Sequence, residues 1–141
     1  MSLASHISTI ASAGGDVTGI TSSFDQDDTP DSLQSAQTPA LLHFPAGGLL
    51  EEETFGRGMW GIRHNVRVVL LYAAKGQKRL EDNIGAITTR INSYISEMRA
   101  DTTLPECFRF ENYSEPGTLE FAGIEYHGCT FTVSVLEHYG S

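Results

Sequence analysis

Histidine, cysteine and clustered carboxylates are the residues of this sequence whose types and spacing could do chemistry. His127 and Cys129 stand two apart, with Glu125 just before them. In an extended chain alternate residues share a face, so a thiol, an imidazole and a carboxylate could meet there as nucleophile, base and orienting group. With His43 and His64 on neighbouring segments, the same pair could begin a metal site. Zinc takes three or four ligands, however, and no short-spaced pair fixes the others. Simple packing of strand residues is the competing reading. Cys107 and Cys129 form no C-x-x-C pair and lie in apolar surroundings, so they read as buried free thiols, with a bridge between two strands left open.

Glu51, Glu52 and Glu53 could be taken for a cation site, but three consecutive residues in extended chain do not aim at one point. Gly47-Gly48 and Gly56-Arg57-Gly58 suggest a phosphate nest, which the glutamates between them would repel. There is no G-x-S-x-G elbow, no phosphate-binding G-x-x-x-x-G-K loop, no G-x-G-x-x-G and no H-E-x-x-H. The expectation is therefore no catalytic residue, no cofactor and no metal. What stands out near the glutamates is apolar: Leu49, Leu50, Phe55, Met59 and Trp60 occupy a segment that reads as loop. Aromatic residues and methionine favour interface cores, while folding back onto the chain's own core is the alternative.

The elements that must position these residues follow from periodicity. Leu3, Ile7, Ile10 and Ala11 recur at helical spacing before Gly14-Gly15, which predicts a short amphipathic N-terminal helix. Residues from about 14 to 38 mix Gly, Ser, Asp and Pro with isolated Val17, Ile20, Phe24 and Leu33, an irregular arm held by apolar pegs. The run Pro39–Pro45, fenced by prolines, predicts a first strand at an edge or terminus of the sheet. A long connection, Ala46–Gly58, leads to a strand over Ile62–Ala74, with Val66, Val68, Leu70 and Tyr72 on one face and Arg67, Val69 and Leu71 on the other. Leu80, Ile84, Ile87, Ile91, Ile95 and Met98 trace one stripe, predicting a helix from Gln77 to about Ala100. Short strands around Phe108–Phe110 and Leu119–Phe121, a reversal at Ala122-Gly123 and a closing strand through Val135 complete the chain. The pattern predicts one α+β domain spanning 1–141, a mainly antiparallel sheet with one long helix and the short N-terminal helix packed on one face.

Charge narrows the function classes. Of the formal net −9 in 141 residues, the stretch Met1–Glu53 supplies −8, because its eight acids (Asp16, Asp25, Asp27, Asp28, Asp31 and Glu51–Glu53) face no lysine or arginine before Arg57. Such a surface repels nucleic-acid phosphates and membrane headgroups, so a protein partner is expected. The longest apolar run, Val68–Ala74, is far too short to span a bilayer, and the first residues lack the basic and apolar regions of a secretion signal. Synthesis and folding in a cytoplasm are expected.

The order of these elements (short helix, arm with Pro30-Asp31-Ser32-Leu33, the Pro39–Pro45 strand, the Val66–Tyr72 strand, the long helix and the closing strand) resembles the tail terminator proteins of long-tailed bacteriophages over nearly the whole chain. The resemblance implies a virion structural protein and no enzyme. It would be a subunit of a homo-hexameric ring that caps the tail tube protein and presents a face to head-completion or connector proteins. DNA would pass through the ring's channel without specific contact, no membrane would be involved, and the protein would be made in the host cytoplasm and reside in the virion neck. The interface residues expected are Leu50, Glu51, Glu52, Glu53, Phe55, Arg57, Met59, Trp60, Arg63 and Arg67, with the arginines set against a neighbour's acids. Another neck or head–tail connector protein is the alternative within the class. A small cytosolic enzyme or ligand-binding domain using Cys129, His127 and Glu125 is the alternative outside it.

Overall fold

The computed structural model describes residues 3–52, 60–105 and 108–139. Helix α1 covers Leu3–Gly15, followed by strands β1 (Ser22–Phe24), β2 (Ala40–Glu52) and β3 (Trp60–Ala74). Helix α2 covers Leu80–Ala100, and β4 (Arg109–Tyr113), β5 (Gly117–Phe121) and β6 (Ile124–Tyr139) close the chain. The fold is α+β, with a mixed six-stranded sheet ordered β1-β2-β3-β6-β4, and β5 pairing with β6 beside β4. Only β1 runs parallel to its neighbour; the other pairings are antiparallel.

Both helices cover the same face of this sheet. Ile7, Ile10 and Ala13 of α1 and Ile87, Ile91, Tyr94 and Met98 of α2 bury against Leu41, Val66, Val68, Leu70, Cys129, Phe131, Val133 and Val135. Alternation sends Ala40, Leu42, Leu71 and Tyr126 to the opposite face, where Leu33 of the arm joins them in a smaller apolar cluster. We call these the inner and outer faces. The arm is tied down at several points: Val17 and Leu33 are buried, the Thr18 N–H donates to the Glu97 carboxylate at 3.1 Å, and Ser23 Oγ donates to the Ala11 carbonyl at 2.6 Å.

Four sequence expectations need correction. The arm contains a strand, β1, too short for its period to be visible in three residues. The Pro39–Pro45 strand is an edge only in part: β1 flanks it at residues 40–42, and it runs on to Glu52 past a register shift between Pro45 and Gly48. Proline is tolerated there because β1 pairs only with residues 40–42, so Pro45 lacks no partner on that side. Much of the supposed loop is thus hairpin, with Glu51 opposite Gly61 and Glu52 opposite Trp60. Helix α2 starts at Leu80, three residues late, where the Asp82 carboxylate accepts from the Arg79 N–H at 3.0 Å and sets the first turn. Its buried stripe is also rotated: Asn83 and Tyr94 are buried, while Ile84 is 44% exposed.

Candidate functional site

On the inner face, the residues that could have been catalytic are committed to packing. Cys129 is a buried free thiol, and burial pushes its pKa up to about 12, so it stays protonated at neutral pH. His127 is fully buried, and its Nδ1 accepts from Asn83 Nδ2 of α2 at 2.9 Å. Glu125 points away into an exposed ion pair with Lys75 at 3.1 Å. Thiol, imidazole and carboxylate therefore do not form the relay that their spacing permits. His43 is spent similarly, its Nδ1 donating to the Phe24 carbonyl at 2.8 Å and pinning β1 to β2.

His64 has a partner that its sequence neighbours did not suggest. Its Nε2 lies 3.2 Å from Glu137 Oε2 across the β3–β6 ladder, and His6 of α1 brings its Nε2 to 3.7 Å from the other oxygen. The carboxylate of Glu137 is buried at the seam between helix and sheet. Desolvation dominates at His6 and holds its pKa below the usual histidine range, although Glu137 pulls the other way. Among the described residues, no group of three or more His, Cys, Asp or Glu side chains could hold a metal ion.

The outer face differs in kind. Past the apolar cluster under Leu33 it carries Arg63 and Arg67 of β3 and Arg109 and Glu111 of β4. Ser134 Oγ accepts from Arg63 Nη1 at 3.1 Å and donates to Glu111 Oε1 at 2.6 Å, and Arg109 Nε reaches the same oxygen at 2.6 Å. These bonds hold the Glu111 carboxyl below its usual range, the Ser134 hydroxyl contributing most. Arg67 is exposed and lies over the Phe44 ring, 5.6 Å from its centroid. Arg63 and Arg67 have no carboxylate within ion-pair distance among the described residues. Two clefts open on this face. One of about 320 Å³ is lined by Arg63, Asn65, Arg109, Glu111, Asn112 and Thr132. The other, about 290 Å³, has Phe44, Val69, Leu119 and Phe121 with Arg67 at its side.

Of the expected interface residues, Arg63 and Arg67 therefore share this face. Leu50, Glu51, Glu52 and Trp60 lie on the paired strands of the β2–β3 hairpin, and Glu53, Phe55, Arg57 and Met59 lie outside the described residues, as does Cys107. Sequence reasoning missed Arg109, Glu111 and Ser134. The alternation of β6 already set Ser134 opposite Val133 and Val135, but which strand would lie beside it was not encoded in any local pattern. No helix among the described residues is long and apolar enough to cross a membrane. Compared with known proteins, the chain matches no protein-family model and no curated sequence.

Proposed function

We propose that this chain is a virion structural protein, a ring-forming tail terminator. It caps the finished tail tube of a long-tailed phage and joins it to the head-completion proteins. The observation that carries the reading is the layered arrangement itself: two helices seal one face of the sheet, and the other face is left with two clefts and with Arg63 and Arg67, neither of which has a carboxylate within ion-pair distance among the described residues. A subunit that works by contact needs such a face; an enzyme of this size would instead need an activated group, and the thiol at Cys129 is buried and protonated. The order of elements that resembles tail terminators supports the same reading. The ring's acidic surplus, −9 per copy, repels phosphate and lets DNA slide through the channel without adhering.

The test is light scattering coupled to size exclusion, with negative-stain imaging, in the presence of tail tube protein. Rings alone or on tube ends are expected. A strict monomer that forms no ring and binds no tube end overturns the proposal, and localisation of the chain elsewhere in the neck of an intact particle moves it to a connector role.

A further inference from the structure

We infer that the outer sheet face receives a second copy of this chain, whose acidic arm (Asp25, Asp27, Asp28 and Asp31) docks on Arg63 and Arg67; this rests on the ring reading above and names its contact. Neither half of that pair has an ion-pair partner among the described residues. None of these four aspartates has a cation within ion-pair distance among the described residues, and the two arginines meet no carboxylate there. The turn Gln26–Asp28 lies against both β2 and α1, and Leu33 carries the end of the arm onto the outer-face cluster, yet no ion pair joins the arm to Arg63 or Arg67 among the described residues. Complementary charged patches left without an ion pair inside one molecule are available to pair between molecules.

The arginine patch is built for a rigid partner. The guanidinium of Arg63 is held by the Ser134 hydroxyl and that of Arg67 by the Phe44 ring, so less side-chain entropy is lost when a carboxylate arrives. Beside them the cleft of about 290 Å³ has an apolar floor of Phe44, Val69, Leu119 and Phe121, which excludes water around the charge pairs once covered. Glu120 on the rim of that cleft and Glu111 beside the other disfavour a polyphosphate occupant, as does the net charge of the chain. Because the two patches are different surfaces, the contact is heterologous, the kind that generates a ring when the rotation closes.

The inference is tested with the full chain by sedimentation velocity and light scattering. R63E/R67E and D27R/D28R should each associate at least about tenfold more weakly than the unsubstituted chain, the range that loss of interfacial charge pairs gives. One variant then carries two acidic patches and the other an arm reversed at its turn beside an intact arginine patch, so an equimolar mixture should assemble again, in alternation. Should R63E/R67E be unfolded by circular dichroism, R67Q, a charge loss at an exposed side chain, must itself weaken association. An oligomer that no such change weakens overturns this contact and leaves the ring reading standing. A chain that stays monomeric, alone and with tube protein, overturns both. Retention of a labelled oligonucleotide by the unsubstituted chain but not by R63E/R67E overturns the inference in favour of a phosphate-binding face.

Discussion

Asn83 shows how one polar side chain decides the packing of a helix. It sits on the stripe of α2 where a hydrophobe is expected, because its amide supplies the hydrogen bond that buried His127 needs. Asn83→Ala should cost about 1–3 kcal/mol, since it leaves the imidazole nitrogen buried without a donor. Urea unfolding measures this, and a loss within experimental error would show that the bond carries no weight. Tyr94 makes the opposite case: its ring lies 4.5 Å from that of Phe131 and 6.0 Å from that of Phe110, but its buried hydroxyl meets no hydrogen-bond partner among the described residues. Tyr94→Phe should therefore be neutral or stabilising, whereas Tyr94→Ala should cost about 3–5 kcal/mol. The histidines set a pH dependence. His6 and His43 both have pKa values lowered by burial, so below the ordinary value of 6.5 the unfolded chain takes up protons that the folded one refuses. Stability should hold above pH 6.5 and fall as the pH drops below it; urea midpoints that stay level between neutral and mildly acidic pH would contradict this.

At the level of elements, the alternating strands were legible in the sequence because a sheet with one sealed face writes a period of two. Val66, Val68 and Leu70 against Arg67, Val69 and Leu71 are divided by the structure as the pattern divides them. The closing strand is equally faithful, with Cys129, Phe131, Val133 and Val135 all on the inner face. What escaped was non-local. The rotation of α2 that exposes Ile84 depends on a histidine forty-four residues away, and β1 exists because β2 and α1 happen to lie beside it. The candidate surface was half legible: Arg63 and Arg67 were readable as outward-facing, but the network joining Arg63 to Ser134 and Glu111 needs strands from three parts of the chain. The β3–β6 ladder, which organises all of this, has one point without slack. Gly128 lies where a methyl group would overlap the Leu70 carbonyl, next to the register shift between Leu71 and Ala73. Gly128→Ala should disrupt that ladder and reduce soluble, folded yield sharply; a variant with an unchanged unfolding midpoint would refute the close approach.

For the molecule as a whole, the charge partition becomes a description of surfaces. Acids dominate the arm and the Glu51–Glu53 stretch of the sequence, while Arg63 and Arg67 on the outer face have no carboxylate within ion-pair distance among the described residues. Assembly should accordingly weaken as salt rises from about 0.05 M to about 0.5 M, because the screening length shrinks severalfold over that range. Association that strengthens with salt would point to an apolar contact instead. If the chain forms the proposed ring, neutralising the three glutamates as E51Q/E52Q/E53Q should alter ring formation or DNA passage, and unchanged infectivity with normal rings would reduce them to solvated side chains. The edges of the sheet carry a further consequence. Among the described residues β1 covers only 40–42 of β2, so the rest of that strand presents an unpaired backbone edge, broken by Pro45 and the shift before Gly48 and ending on Glu51 and Glu52. At the other margin β4 and β5 are five residues each, and β4 has its own register shift at Phe110–Asn112. Short, kinked and charged margins are poor templates for strand addition. Such margins keep the sheet from growing edge to edge into fibrils when the protein is concentrated.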